Sequence, residues 1–183
     1  MSRRMPSPRP ALPRFAVAWF PAFEGIERIE DYRREFDPLA GDVAVHLTLV
    51  FPFPTPLKRI QVESHVKRIA AGWPPVAVTF RHVRAKDNEF VFLMASRGAD
   101  SLVALHDRLY TRSLAPHLRR DLPYEPHLTI ARCREPLRLD EALARAAASM
   151  DREYAGVVRE LTLLALAAGG KIERLSTFPL LAG

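Results

Sequence analysis

The sequence predicts an α+β fold made of two similar halves. Three observations point there. Apolar runs of strand length alternate with amphipathic helical stretches. Two strand pairs separated by turn residues read as hairpins. And the tetrapeptide His46-Leu47-Thr48-Leu49 nearly recurs, 81 residues later, as His127-Leu128-Thr129-Ile130. At 183 residues the chain is one domain or two small intimate lobes. With 48% hydrophobic residues it has material for a real core.

In order, residues 14–20 (RFAVAWF) form a continuous apolar run of strand length, closed by Pro21. Over 23–36, Ile26, Ile29, Tyr32 and Phe36 fall at helical spacing with charges between them. Pro38 ends that helix, and a loop leads to the first motif strand, 45–51. Pro52, Pro54 and Pro56 punctuate its exit. Thr55 is placed to cap a helix over 57–71, with Pro56 at the first helical position and Gly72 and Pro74 as stops. Val76, Val78 and Phe80 alternate with Ala77, Thr79 and Arg81, a half-buried strand. Lys86-Asp87-Asn88 turns it into a second strand, 90–95. A helix over 99–113 carries Leu102, Leu105 and Leu109, a loop spans 116–126, and the second motif strand runs to about Arg132. An alanine-rich helix over 139–150 precedes a last hairpin, 157–167 and 171–180, about Gly169-Gly170. The unit motif strand, helix, hairpin thus occurs twice.

Formal net charge is +6, which suits a phosphate-bearing partner. Lys58, Lys67, Lys86 and Lys171 are the only lysines among 27 basic residues. Arginine supports bidentate phosphate binding, although a compositional bias explains the excess equally well. A single cysteine, Cys133, excludes an internal disulfide and a cysteine-cluster metal site, and fits a reducing compartment. No apolar run approaches the ~18 residues of a membrane helix. Residues 1–13 combine arginines and prolines without the apolar centre of a secretory signal, and are expected to be a disordered tail.

The motifs carry the chemistry. In a strand, residues i and i+2 share a face, so His46 projects beside Thr48 and His127 beside Thr129, with the aliphatics on the other side. Imidazole titrates near pH 6.5, so one copy can act as base while the other is protonated. Two histidines across a scissile bond can take the proton of an attacking water or hydroxyl and protonate the departing oxygen. Threonine hydroxyls can donate to non-bridging phosphate oxygens. Too few His, Asp or Glu neighbour the motifs for a metal site, and no serine sits in a nucleophile elbow.

HLTL and HLTI, each on an apolar strand, together with Pro126 before the second histidine, resemble the two H-x-[ST] motifs of the 2H phosphoesterase superfamily. That superfamily includes bacterial 2'-5' RNA ligase-like proteins and cyclic phosphodiesterases. By element order the resemblance covers residues 14–180. It implies a bilobal, pseudo-twofold fold in one domain, 14–183, with two antiparallel sheets lining a central cleft and helices outside. It implies cofactor-free and metal-independent chemistry on 2',3'-cyclic phosphates or 2'-5' phosphodiester links of RNA ends or nucleotides. His46 and His127 then map to the catalytic pair, and Thr48 and Thr129 to the phosphate contacts. Which histidine is acid and which is base stays open. A cytoplasmic monomer without membrane association is expected. Two alternatives stand beside this: an RNA- or nucleotide-binding protein on the same fold with little turnover, and a hydrolase of a small non-nucleic cyclic phosphate.

Arg132 and Arg134 follow the second motif, and Arg119 and Arg120 precede it. Any could bind phosphate as a fork. By simple parity Arg132 lies on the face opposite His127, unless the strand has ended or bulged; its counterpart after the first motif is Phe51. Tyr124 is a candidate for stacking on a base, whereas Phe51 and Phe53 read as core. His65 and His106 are expected on helices, His82 near a strand end and His117 in a loop, all structural. Cys133 reads as a buried thiol.

Overall fold

Two antiparallel sheets of four strands each, in the orders β2-β1-β7-β8 and β5-β4-β3-β6, form the body of the molecule. The first half of the chain runs β1 (Arg14–Trp19), α1 (Ile26–Phe36), β2 (Leu47–Pro54), α2 (Arg59–Ala71), β3 (Val76–Lys86) and β4 (Phe90–Ala95). The second runs α3 (Ala99–Leu109), a 3-10 turn (Arg112–His117), β5 (His127–Arg132), α4 (Pro136–Ser149), β6 (Tyr154–Val158), β7 (Glu160–Leu166) and β8 (Ile172–Pro179). The computed structural model describes residues 12–167 and 171–181. The segment before residue 12 and the Gly169-Gly170 turn lie outside the described residues.

The two lobes are interlocked. β1, in the first sheet, is followed by α1, which packs on β5 of the second. α3 follows β4 of the second sheet but packs on β2 of the first. α2 covers β7 and β8, and α4 covers β3 and β4. The helices bury their apolar stripes against the outer sheet faces, as Ile29, Tyr32 and Phe36 do in α1 and Leu102, Leu105 and Leu109 in α3. The alanines of α4 let it approach closely enough for Tyr32 to donate a 2.5 Å hydrogen bond to the Ala142 carbonyl. Trp19 of one sheet stacks 6.3 Å from Phe80 of the other, with Phe23 beside them, so the outer-face core is continuous. The inner faces line a central cleft. A Cβ at Gly156 would stand only 3.0 Å from Phe23, which explains a glycine on that strand.

The expected α+β, two-sheet architecture with outer helices is what is observed. The repeated unit is not a spatial unit, however. The hairpin that follows each motif strand in sequence joins the sheet of the other motif: β3–β4 pairs with β5, and β7–β8 belongs with β1 and β2. β6 is a further strand that pairs with β3, so Val157 and Val158 are not part of the last hairpin. β2 runs on through Pro52 and Pro54, because an edge strand tolerates residues without an N–H. Thr55 does not cap α2. Its hydroxyl accepts from the Leu57 amide, and the helix starts at Arg59 after Lys58, whose amide donates to the Gln61 side chain. β3 extends to Lys86 past a bulge that places His82 at φ 65°. α3 stops at Leu109, and α4 starts at Pro136.

Candidate active site

Both motif strands carry the same local irregularity. Opposite β1, Ala18 pairs with Thr48 and Val17 with Val50, leaving Leu49 unpaired. Opposite β4, Phe92 pairs with Thr129 and Val91 with Ala131, leaving Ile130 unpaired. One extra residue reverses the alternation of side chains. Leu49 and Val50 are therefore both buried, as are Ile130 and Ala131. Beyond the bulges, Phe51 and Arg132 return to the face that carries the motif histidines and threonines. This corrects the parity expectation for Arg132.

His46 immediately precedes β2 and His127 is the first residue of β5, each at the end of a segment that crosses between lobes. Their Nδ1 atoms make equivalent bonds. His46 Nδ1 lies 2.9 Å from the Ala44 carbonyl, and His127 Nδ1 lies 2.5 Å from the Glu125 carbonyl, both two residues back. A carbonyl only accepts, so in the neutral ring Nδ1 carries the hydrogen and the lone pair is on Nε2. The His127 ring stacks on Phe92 at 3.6 Å and 18°. The His46 ring is tilted against Phe20 at 5.5 Å. Burial is the main influence on both imidazoles and holds them below the ordinary value of 6.5. The Ala44 and Glu125 carbonyl bonds oppose it. Arg33 and Arg174 add to the lowering at His46, and Arg84 and His46 itself add to it at His127. The two imidazoles thus lie within electrostatic reach of each other.

Two devices hold these rings across the lobe boundary. Tyr124, in the segment before the second motif, donates a 2.9 Å hydrogen bond to the Thr48 carbonyl of the first. Its ring lies 3.8 Å from His106 and nearly parallel to it, so one face is covered, and Phe51 meets it edge-on. The segment before His46 is clamped to α1 by a buried cation. Arg33, 2% exposed, binds Asp37 (2.8 and 3.1 Å), Glu30 (2.9 Å) and the Val43 carbonyl (3.1 Å). Glu30 also accepts from the Val45 amide at 2.6 Å, and Asp37 from that of Leu39 at 3.0 Å. On the other side Glu125 pairs with Arg84 at 2.6 Å.

The half-buried Thr48 and Thr129 stand two residues after their histidines on the same strand faces. Arg132 lies 4.8 Å above the Phe90 ring and 3.3 Å from Glu89. Phe90 and Phe92, opposite Arg132 and Thr129, extend the same ledge. The remaining candidates fall elsewhere. Arg119 pairs with Asp121 at the surface, and Arg134, 86% exposed, reaches only Glu89. His65 and His106 stand on α2 and α3 and are buried, bound to the Leu109 and Leu49 carbonyls. His117 packs 4.5 Å from Phe53. Cys133 is buried, and burial pushes its thiol up. Among the described residues no three His, Cys, Asp or Glu gather where they could hold a metal, and no helix is long and apolar enough to cross a membrane.

Sequence reasoning missed Phe20, Phe92 and Arg174. Phe90 and Phe92 alternate visibly along one strand, a signal that was available. Arg174, whose guanidinium lies 3.5 Å over Phe20, is brought in by β7–β8 pairing and has no local signature.

Comparison with known proteins bears on this arrangement. The family model described as the 2'-5' RNA ligase superfamily matches residues 21–170. A candidate phosphoesterase of Bacillus pumilus is 26% identical over 121 residues, 64% of this chain and 69% of that one. Among solved structures, a Thermus thermophilus protein superposes with a TM-score of 0.66 at 19% identity, over 92% of this chain and 98% of that one. Escherichia coli LigT in its apo form superposes with a TM-score of 0.65 at 21% identity, again over 92% and 98%. LigT has also been captured with 3'-AMP and with phosphate.

Proposed function

The chain belongs to the 2'-5' RNA ligase superfamily, within the 2H phosphoesterases, and on that premise we propose that it is an enzyme that cleaves 2',3'-cyclic phosphates or 2'-5' phosphodiester links of RNA ends or nucleotides, using His46 and His127 as an acid–base pair. One observation carries the reading. One imidazole just before the edge strand β2 and one at the start of the edge strand β5 are each tied through Nδ1 to the carbonyl two residues back, which keeps Nδ1 engaged and supports a role for both Nε2 atoms on one substrate.

For a cyclic phosphate, one neutral histidine accepts a proton from water through Nε2 as the water oxygen bonds to phosphorus. The other, protonated, gives its proton to the ribose oxygen whose bond to phosphorus breaks. The product is a phosphomonoester beside a free hydroxyl, and each histidine ends in the form the other began in. Both rings are half-buried, and their loss of hydration favours the neutral form before substrate binds. An arriving phosphate anion favours protonation of the nearer ring and so creates the acid. Thr48 and Thr129 donate to the non-bridging oxygens, and Arg132 stabilises the charge that accumulates on them. Tyr124 fixes the spacing of the two motif strands through Thr48. The steps call on no metal or cofactor. The single buried free cysteine suits action in the reducing cytoplasm.

The test is a panel of an oligonucleotide ending in a 2',3'-cyclic phosphate, a 2'-5'-linked dinucleotide and their 3'-5' counterpart, incubated in EDTA and followed by 31P NMR. Ring opening to one monoester, or selective loss of the 2'-5' link, is expected. A panel left intact throughout would overturn the reading in favour of binding without turnover.

A further inference from the structure

A second arginine stands at the candidate site on the lobe opposite Arg132. Register alone puts Arg174 on the cleft face. Thr48 faces Ala18 across β2–β1, Ala16 faces Leu164 across β1–β7, and Leu164 faces Arg174 across β7–β8. Directly opposed residues share a face, as do Ala16 and Ala18 two positions apart. Ala16, Ala18 and Leu164 form a small apolar floor of their own, separate from the main core, with Phe20 packed on it. The Arg174 guanidinium carbon lies 3.5 Å from the centroid of that Phe20 ring, and the same ring abuts His46. The two centroid distances, 3.5 and 5.5 Å, put the guanidinium at most about 9 Å from the imidazole. Arg174 has no carboxylate within ion-pair distance among the described residues, whereas Arg132 is engaged by Glu89.

An exposed guanidinium seated over an aromatic ring keeps its in-plane N–H donors free. The lack of a partner carboxylate leaves its charge for a ligand. The scissile phosphate, on the reading above, already has Thr48, Thr129 and Arg132. Arg174 comes from β8, at the other edge of the sheet from β2, and reaches the site across Phe20. We propose that Arg174 binds a second phosphate of the substrate, one nucleotide from the scissile one, so that the preferred substrate is an oligonucleotide end and not a mononucleotide. This rests on the phosphoesterase reading for its catalytic arm only.

Two arms test it with Arg174→Gln, which keeps the stem over Phe20, and Arg174→Lys, which keeps the charge. First, kinetics are compared on a nucleoside 2',3'-cyclic monophosphate and on a trinucleotide ending in the same group. The expected result is a KM raised about ten- to a hundredfold on the trinucleotide in Arg174→Gln and less in Arg174→Lys, with a much smaller change on the mononucleotide that reflects only the charge lost beside His46. Second, binding of the trinucleotide to His127→Ala protein is titrated against salt. Adding Arg174→Gln is expected to flatten the log–log slope by about 0.7, the value for one lost phosphate contact on a single strand. An equal loss on both substrates would place Arg174 at the scissile phosphate and overturn the proposal, as would no loss on either or an unchanged slope. If wild type turns over neither substrate, the phosphoesterase reading fails, and the salt titration still decides whether Arg174 contacts a second phosphate.

Discussion

Arg132 lies on the same face of β5 as His127, although an odd number of positions separates them. The unpaired Ile130 makes the difference, and the matching bulge at Leu49 brings Phe51 to the equivalent place in the other lobe. The two half-sites are thus alike in backbone and different in charge. One offers an arginine above a phenylalanine, the other a phenylalanine alone. Arg132→Ala is expected to lower kcat about a hundredfold or more with a smaller change in KM, as for loss of a donor to developing negative charge. Arg132→Lys should recover part of it. Steady-state kinetics on the best substrate of the panel check this, and an unchanged kcat in Arg132→Ala would remove Arg132 from the transition state.

Tyr124→Phe severs the hydrogen bond to the Thr48 carbonyl and leaves the stacking on His106 in place. The net stability loss should be about 0.5–1.5 kcal/mol, the usual value for one hydrogen bond. The activity loss should exceed what that destabilisation explains, with kcat falling more than KM rises, because the bond sets the distance between the lobes. Chemical denaturation and kinetics on the same preparation separate the two effects.

Arg33→Met would leave the carboxylates of Asp37 and Glu30 without their buried cation. Removing one partner of a buried ion pair costs about 3–5 kcal/mol, so the midpoint of urea unfolding should fall steeply. Replacing Arg33, Asp37 and Glu30 together by apolar or amide residues should cost less than Arg33→Met alone. If the triple variant is the worse, the network stabilises more than its own desolvation consumes.

The pH dependence has a worked sign. His46, His65, His106, His117 and His127 are all held below the ordinary imidazole value, chiefly by burial. Between that value and the folded one, the unfolded chain binds more protons than the folded chain. Stability therefore rises with pH through this window. It is fully present above about pH 6.5 and is lost as pH falls below it, which thermal unfolding from pH 8 to pH 5 will show. The same lowering puts the optimum of kcat/KM, which reports the free enzyme, on the acid side of pH 6.5. The kcat optimum should lie higher, since bound phosphate raises both rings.

Much of this was legible in the sequence because it is written locally. The strand and helix periods give α1, β4 and the stripe of α3 nearly to the residue, and His46-x-Thr48 and His127-x-Thr129 are visible as a repeat. What was not legible depends on partners distant in the chain. The hairpin swap between lobes leaves no trace in either hairpin's sequence. β2 passes through Pro52 and Pro54 only because it is an edge strand. The bulges at Leu49 and Ile130 replace a polar alternation by two adjacent aliphatics, which reads equally well as a buried strand end. Arg174 joins the site through pairing with Leu164, and Arg33 is buried against the local expectation for a helix arginine because Glu30 and Asp37 meet it one turn away on each side.

The central claim is that both histidines act together on one phosphate. Hydrolysis of a nucleoside 2',3'-cyclic monophosphate in EDTA, by wild type, His46→Ala and His127→Ala with folding checked by circular dichroism, tests it most directly. The account predicts turnover by wild type that falls by at least about 10²–10⁴ in either variant, with no larger loss in the double variant. Turnover that survives either single substitution would contradict it.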